Sequence, residues 1–292
     1  MSDNFFIDVN DPTFDDYLKE AIPLKEIERS IQKTYRKETF SKFLKALEKY
    51  DLIKDGDKVA VGMSGGKDSL LLAKMFQALK RFSKIDFEVE FISMDPGFHP
   101  KNREKLENIC KYLDIPLKVF ESNVFEVAET IAKDNPCYLC ARMRRGFLYS
   151  KVQELGFNKL ALGHHFNDVI ETTMLNVLWN GSYKTMMPKL KSENFKGLEL
   201  IRPLYLVEEK DIIRWLNNSG IIPMDEACPI IKVKKDSQRR NIKEMIENLK
   251  KVNQNVDKNI FKSAENISLE AVLGYAIGEE KHSFLDEYDQ RS

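Results

Sequence analysis

Six consecutive residues have the side chains and the backbone freedom needed to hold a phosphate group. They are Ser64, Gly65, Gly66, Lys67, Asp68 and Ser69. Two adjacent glycines let the backbone approach an anion closely, and a helix that follows them offers its N–H groups and its dipole. The lysine adds a positive charge, and the two serines add hydroxyl donors. We predict that this segment, called the phosphate loop below, binds a nucleotide phosphate.

A glycine turn followed by a helix cap is the simpler interpretation of the same residues. Their order is not that of a Walker A loop, in which four residues separate a glycine from Gly-Lys-Ser/Thr. The apolar run before the loop, the lysine and the paired serines nevertheless favour a phosphate site over a bare turn.

Three of the four cysteines have a spacing that suits a metal centre. Cys137 and Cys140 form a C-x-x-C pair at the start of a predicted helix, and Cys228 lies far downstream. Such a pair can hold one metal centre or form a disulfide. A simple zinc site usually needs four ligands, whereas three cysteines on an iron–sulfur cluster would leave one iron open. Two alternatives stay open: a C-x-x-C redox pair, or an unrelated pair of cysteines with Cys228 in the core.

The fourth cysteine has a different environment. Cys110 lies beside Leu106, Ile109 and Leu113 in a predicted helix. We predict that it is a thiol of the hydrophobic core.

Alternating strands and helices must position these groups. The phosphate loop follows a short β-branched run and precedes apolar residues at helical spacing, namely Leu71, Met75, Ala78, Leu79 and Phe82. Further strands are predicted at residues 87–95, 116–122 and 158–165, and helices at 101–114, 124–133, 141–156, 167–181 and 236–252. Between the last two helices we expect a loop, one strand and a helix. This alternation predicts a doubly wound parallel sheet of the α/β class.

Composition sets limits on the partners of the chain. Its 292 residues are 42% hydrophobic and 32% charged, which is typical of a globular protein. We find no apolar run of ~20 residues and no signal peptide in the acidic N-terminus, so we expect no membrane partner and a cytoplasmic location. The net charge is zero, but residues 1–20 carry −5 and residues 276–292 carry −3, which leaves +8 in between. That surplus permits RNA binding.

The order of the motifs resembles a known enzyme family. The phosphate loop matches SGGxDS, the PP-loop motif of the adenine-nucleotide α-hydrolase-like superfamily. It is followed by CYLCARMRRG, ALGHHFNDVIETTMLN, MPKL, IRPL and a last cysteine. This order resembles the tRNA 2-thiocytidine synthetase family over about residues 35–250. The resemblance implies a Rossmann-like PP-loop ATPase fold with helical N- and C-terminal extensions, divided into an N-terminal extension (1–50), a catalytic domain (51–252) and a C-terminal tail (253–292). Residues 253–292 are polar and weakly periodic, so we expect an appended tail or short helices there.

The resemblance also implies an activity. Members of the family adenylate the C2 oxygen of a tRNA pyrimidine, here expected to be an anticodon-loop cytidine, and replace it with sulfur. The implied cofactors are ATP, Mg²⁺ and a [4Fe–4S] cluster on Cys137, Cys140 and Cys228. Partners would be tRNA and a sulfur donor, either a cysteine desulfurase or free sulfide, and we expect a homodimer. Two alternatives are a PP-loop ligase of the lysidine-synthetase or amidotransferase kind and a non-catalytic nucleotide-binding or redox module.

Site residues follow from the motif positions. Besides the phosphate loop, the resemblance implies ATP contacts by Met94, Gly163 and His164, and it implies that Lys67, Asp68 and Asp168 are catalytic. The chain departs from the family pattern in two places: Asn167 replaces the first of two acids, and Cys228 does not open a second C-x-x-C. An ordinary helix cap would also explain Asp168.

Basic residues flank the three cysteines and suit the RNA backbone. The candidate RNA contacts are Arg142, Arg144, Arg145, Lys234, Arg239 and Arg240. Solvated helix faces are the alternative explanation for such runs.

Overall fold

The structure is a computed structural model that describes residues 16–122, 124, 136–224 and 237–290. The chain forms two compact units. The first comprises Met1–Val169 and Met186–Ser237, and the second comprises Ile170–Thr185 and Gln238–Ser292. The helix predicted at 124–133 lies outside the described residues except for residue 124. The three-part division predicted from the sequence stays a prediction.

A six-stranded sheet forms the centre of the first unit. Its strands are β1 (Lys58–Gly62), β2 (Glu88–Asp95), β3 (Leu117–Glu121), β4 (Lys159–Ala161), β5 (Lys189–Lys191) and β6 (Glu199–Ile201). They are arranged in the order β3-β2-β1-β4-β6-β5. Every neighbouring pair is parallel except β5 and β6. The predicted α/β class is therefore confirmed. The carboxyl ends of the five parallel strands meet at one edge of the sheet, called the carboxyl edge below.

Helices cover both faces of this sheet. The described α-helices are α1 (Leu24–Gln32), α2 (Phe40–Lys49), α3 (Lys67–Phe82), α4 (Pro100–Tyr112), α5 (Pro136–Glu154), α6 (Phe166–Asn180), α7 (Glu209–Ser219), α8 (Ser237–Val252) and α9 (Val256–Ser263). Val59 and Val61 of β1 share one hydrophobic cluster with residues of α1, α2, α3, α4 and α7. Ala60, between them, belongs to a second cluster with Val152 of α5. Successive strand residues point to opposite faces, so the sheet is wound on both sides.

Three details differ from the sequence-based expectations. The strand predicted at 158–165 is only Lys159–Ala161, because the chain turns into a loop before α6. Where one strand was expected, β5 and β6 form an antiparallel hairpin. Phe82 was placed with the apolar face of its helix, but it is 60% exposed. The helix is buried nearly all round its middle, so its last turn is the part that leaves the core.

The second unit contains the later part of α6, followed by α8, α9 and a small hairpin. The hairpin pairs β7 (Gly274–Ile277) with β8 (Glu280–Ser283) in antiparallel fashion. The sequence predicted only a polar tail or short helices there, since its strands carry no alternating apolar pattern. Among the described helices of both units, none has the length and apolar character required to cross a membrane.

Candidate active site

The phosphate loop begins at the carboxyl end of β1 and ends in the first turn of α3. Gly65 has a φ of 80°, a left-handed conformation that glycine adopts without strain. The Ser69 hydroxyl donates to the Gly66 carbonyl at 2.9 Å, and the Ser64 backbone N–H donates to the Ser69 oxygen at 3.3 Å. Both predicted serines therefore close the loop on itself. The first N–H groups of α3 point out of such a turn and attract anions.

A second loop, residues 162–165 before α6, lies against the first. A Cβ atom on Gly163 would come within 3.1 Å of Asp68 Cβ and 3.3 Å of the Ser69 backbone nitrogen. Two stretches of backbone can approach this closely only where no side chain stands between them. Gly163 thus brings two of the predicted motifs together at the carboxyl edge, where open α/β sheets bind ligands.

The start of α6 is closed by a reciprocal pair of hydrogen bonds. The Asp168 carboxylate accepts from the His165 N–H at 2.9 Å, and the His165 ring nitrogen Nδ1 accepts from the Asp168 N–H at 3.4 Å. This is the geometry of a capping box, with histidine in place of serine. The other ring nitrogen, Nε2, lies 3.8 Å from Asp68 Oδ1. Asp168 is therefore a helix cap, and its catalytic role stays a prediction.

Asp68 has the electrostatics of a metal-binding or proton-sharing carboxylate. Its Oδ1 atom is buried and accepts no hydrogen bond within the described residues. Burial raises the pKa of Asp68 above its ordinary value, although Lys67 and His165 act in the opposite direction and Asp168 adds to the rise. An unsatisfied, desolvated carboxylate oxygen of this kind is well suited to a hard cation.

Lys67 stands between two carboxylates. Its Nζ lies 3.2 Å from Asp68 Oδ2 and 3.3 Å from Glu209 Oε1. Burial alone would lower the pKa of Lys67, but Asp68 and Glu209 outweigh that effect and raise it. Glu209 begins α7, and its backbone N–H donates to Asn167 Oδ1 at 3.0 Å. The ammonium group is therefore charged and held at the edge of the phosphate loop.

A family model described as a PP-loop domain matches residues 26–228 of the chain. The chain belongs to the PP-loop family. That match contains both loops of the site and all four cysteines of the sequence. It also contains most of α1 and all of α2, which share the core with β1.

Curated relatives of this PP-loop protein indicate a more specific group within the family. It is 35% identical over 226 residues to a tRNA-cytidine(32) 2-sulfurtransferase from Citrifermentans bemidjiense, covering 76% of this chain and 88% of the relative. It is also 35% identical over 257 residues to a tRNA-cytidine(32) 2-sulfurtransferase 1 from Francisella tularensis subsp. tularensis, covering 86% and 90%. The resemblance to the 2-thiocytidine synthetase family is confirmed at this identity and coverage.

A solved structure has the same fold. The U34-tRNA thiolase NcsA from Methanococcus maripaludis, determined with its [4Fe–4S] cluster, superposes with a TM-score of 0.65. The two sequences are 25% identical, and the match covers 83% of this PP-loop protein and 81% of the thiolase.

The predicted cluster cysteines are described only in part. Cys137 and Cys140 lie in the first turns of α5, and positions three residues apart share one helix face. Since α5 leads into β4, its N-terminal end lies on the carboxyl side of the sheet. Cys228 and Lys234 lie outside the described residues. Their roles, like those of Cys137 and Cys140, stay predictions.

The remaining candidates are divided between the two units. Met94, near the end of β2, is 8% exposed, and His164 is half-buried in the second loop. Arg142, Arg144 and Arg145 lie on α5, where Arg142 and Arg145 are exposed. In the second unit, Arg240 is exposed, whereas Arg239 pairs with Glu171 at 3.1 Å. That ion pair gives Arg239 a structural role beside the predicted one.

Two residues of this edge were missed by the sequence interpretation. Glu209 lies outside the sequence motifs shared with the 2-thiocytidine synthetase family. Arg202 follows β6 in the IRPL motif, and its Nη1 donates to the Met187 carbonyl at 2.5 Å. Its Nε is buried without a hydrogen-bond partner in the described structure, and burial lowers its pKa against the opposing effect of Tyr149, Tyr205 and Asp168. The IRPL motif contains Arg202, but a lone arginine in a short motif does not by itself indicate a ligand or a reaction.

Proposed function

We propose that this protein is an ATP-dependent tRNA sulfurtransferase that converts the C2 carbonyl of a cytidine to a thiocarbonyl. One observation carries the proposal. In a chain of the PP-loop family, Gly163 of the second loop packs against Asp68 of the phosphate loop at the carboxyl edge, and Lys67 Nζ lies 3.2 Å from Asp68 Oδ2. This arrangement suits a nucleotide triphosphate at the point where a second substrate must reach its α-phosphate.

The phosphate loop would bind ATP through its backbone. The N–H groups at the start of α3 face the pyrophosphate end, and the ammonium of Lys67 neutralises part of its charge. Asp68 and Glu209 lie beside this lysine, and Asp168 is close enough to Asp68 to raise its pKa. Such an edge would repel a bare nucleotide, so ATP should arrive with its cation.

Mg²⁺ fits the donors that are present. Asp68 offers a buried oxygen without a hydrogen bond, and magnesium in nucleotide sites takes one or two carboxylates plus phosphate oxygens and water. Within the described residues, no three Asp, Glu, His or Cys side chains form a metal site by themselves. The nucleotide phosphates would therefore supply the remaining ligands. When bound, Mg²⁺ screens the charge that develops on the phosphates.

The first chemical step is adenylation of the base. The C2 oxygen of the pyrimidine forms a bond to the α-phosphorus, and the bond to the β-phosphate oxygen breaks and releases pyrophosphate. The chain contributes orientation and charge, through Lys67 at the departing phosphates and through the loop backbone. In the second step sulfur bonds to C2 and the C2–O bond breaks, so that AMP leaves.

The donor chemistry of Cys137, Cys140 and Cys228 fits an iron–sulfur cluster, since three thiolates leave one iron for a further ligand. The three cysteines would hold the [4Fe–4S] cluster, and its open iron would bind the donor-derived sulfur that is used in the second step. The described chain contacts the phosphate loop at Met224, whose N–H donates to the Gly65 carbonyl at 2.9 Å. Four residues of chain span at most ~14 Å, so the covalent distance from Met224 to position 228 permits a shared cleft.

Finer features belong to the same proposal. We place the target at cytidine 32, because the relatives with that name match most of this chain at 35% identity. The sulfur donor is a cysteine desulfurase or free sulfide, the active form is a homodimer, and the enzyme works in the cytoplasm where tRNA is modified. The basic residues of α5, Arg142 and Arg145 among them, contact the tRNA backbone.

The decisive experiment uses anaerobically reconstituted protein, ATP, Mg²⁺, a sulfide source and tRNA carrying cytidine 32. We expect tRNA-dependent pyrophosphate release and a 2-thiocytidine peak in nucleoside mass spectrometry. A matched tRNA with uridine at position 32 is the control for base choice. Pyrophosphate release without any thiolated nucleoside, from protein that contains neither iron nor sulfide, would instead support an amine-transferring ligase.

A further inference from the structure

The start of α7 carries three acids with different partners. Glu208 and Asp211 lie 2.9 and 3.4 Å from Lys42 Nζ on α2. Glu209 instead lies 3.3 Å from Lys67 Nζ at the phosphate loop. Two of these neighbouring acids therefore make a structural contact with α2, whereas Glu209 contacts the proposed ATP site.

We infer that Glu209 is a positioning residue for Lys67 and that Asn167 holds Glu209 in place. This inference rests on the proposed function, because it gives Lys67 its role at the ATP phosphates. Neither residue needs to touch ATP. Glu209 acts through the ammonium group, and Asn167 acts through the backbone of α7.

A long lysine side chain needs such support. Its ammonium is a point charge on four flexible carbons, so its position is set by its partners. Asp68 alone would pull Lys67 toward its own first turn of α3, since the two residues are adjacent. Glu209 approaches from another helix, and the two carboxylates together fix the ammonium from two directions. The side chains of Lys67 and Glu209 are only 25% and 16% exposed, which limits competition from water.

The hydrogen bond of Asn167 gives a reason for an amide where the family pattern has an acid. Its Oδ1 accepts the N–H of Glu209 at 3.0 Å, which ties the start of α7 to the second loop. A carboxylate at this position would accept the same hydrogen bond. It would also add a fourth negative charge beside Asp68, Asp168 and Glu209. The amide supplies the acceptor without that charge.

The test measures pyrophosphate release by the cluster-loaded enzyme at varied ATP, with saturating tRNA. Glu209→Gln should lower kcat about tenfold, because misplacing a catalytic group costs rate, and it should not raise KM for ATP, since a negative charge has been removed. Asn167→Ala should also lower kcat. Asn167→Asp should retain kcat within about threefold of wild type, since it keeps the acceptor. Glu208→Gln is the matched control on the same turn and should leave both constants unchanged.

Several outcomes would overturn the inference. They are an unchanged kcat in Glu209→Gln, an equal loss in Glu208→Gln, or an Asn167→Asp variant as slow as Asn167→Ala. Wild-type enzyme that releases no pyrophosphate would contradict the proposed function instead. In that case Mg-ATP binding by calorimetry decides: Lys67→Ala should bind more weakly than wild type, and Glu209→Gln should not. Weaker binding by Glu209→Gln would then refute the inference.

Discussion

The carboxyl edge of the sheet and the buried layer formed by α1, α3 and α4 use the same residue type in opposite ways. One helix, α3, supplies a lysine to each region. Lys67, in its first turn, is 25% exposed and faces Asp68 and Glu209. Lys74, two turns later, has a side chain that is 1% exposed, and it bonds to Glu28 at 2.8 Å and to the Leu113 carbonyl at 2.9 Å.

The two lysines differ in which effect dominates. At Lys67 two carboxylates outweigh burial and raise the pKa, whereas at Lys74 burial outweighs Glu28 and lowers it. Glu28 itself also experiences burial, but its hydrogen bonds and charge interactions with Lys74 and Arg81 lower its pKa. At the edge, Lys67 therefore stays charged and available to a ligand. In the buried layer, Lys74 instead links three helices through its contacts with Glu28 and the Leu113 carbonyl.

The largest effect expected from this contrast is the loss of activity in Lys67→Ala. Removing one charge-stabilising donor from an active site lowers the rate by about 10²–10³-fold. The fold should remain, because Lys67 lies outside the hydrophobic clusters. Pyrophosphate release and the thermal unfolding midpoint, measured on the same preparation, check both parts. Asp68→Ala should have the same two effects. A large drop in the unfolding midpoint of either variant without loss of activity would contradict the contrast between edge and core.

The second effect concerns cluster binding. Cys137→Ser, Cys140→Ser and Cys228→Ser should each lose the visible chromophore and thiolation while still binding ATP, since the phosphate loop is a separate element. Iron and sulfide content after anaerobic reconstitution, together with ATP titration, gives the measurement. A full cluster in Cys228→Ser would rule out the three-ligand set and favour a persulfide or disulfide pair at the C-x-x-C.

The edge was more predictable from the sequence than the buried layer was. Phosphate-loop residues are consecutive, so their chemistry is visible in one short segment, and Gly163 and Asp168 follow in another. Lys74 and Glu28 are 46 positions apart. Nothing in either local pattern distinguishes a buried ion pair from two solvated side chains.

The bounds and the number of the short strands were predicted less well than the fold class, because their local patterns are weak. The strands β4, β5 and β6 have three residues each, too few for a period of two to be recognised. Glu209 was missed because its partner, Lys67, is far away in the chain and the two meet only when α7 packs beside α3. The capping role of Asp168, in contrast, was weighed from the sequence because it is local to four residues.

The third effect should be a loss of stability without a loss of chemistry. Lys74→Met removes the charge from the buried layer and leaves the Leu113 carbonyl without its donor. We expect unfolding free energy to fall by about 2–4 kcal/mol, since Glu28 keeps its contact with Arg81 at 3.3 Å. Urea unfolding checks the loss, and kcat at low temperature should stay near wild type. Arg81→Ala, at a more exposed partner of Glu28, is the control and should cost less than about 1 kcal/mol.

Acid should weaken the same layer. The folded-state pKa of Glu28 lies below its ordinary value of 4.5. Its contribution to stability is therefore complete above pH 4.5 and is lost as the pH falls through the folded-state pKa. Urea midpoints measured from pH 7 to pH 3 should fall less steeply in Glu28→Gln than in wild type. Identical slopes would mean that Glu28 gains nothing from its partners on folding.

The smallest effect applies the comparison to cysteine. Cys110 lies in the main hydrophobic cluster, as predicted, and burial raises its pKa to about 12. It therefore stays a thiol at neutral pH, whereas a metal ligand must be a thiolate. Cys110→Ser should keep the cluster and the activity and lose about 1–2 kcal/mol of unfolding free energy, because a hydroxyl is buried in apolar surroundings. Urea unfolding, iron content and thiolation are measured beside those of Cys137→Ser. If Cys110→Ser lost iron while its stability stayed unchanged, Cys110 would act as a cluster ligand rather than as a core thiol. The contrast between the carboxyl edge and the hydrophobic core would then not hold for cysteine.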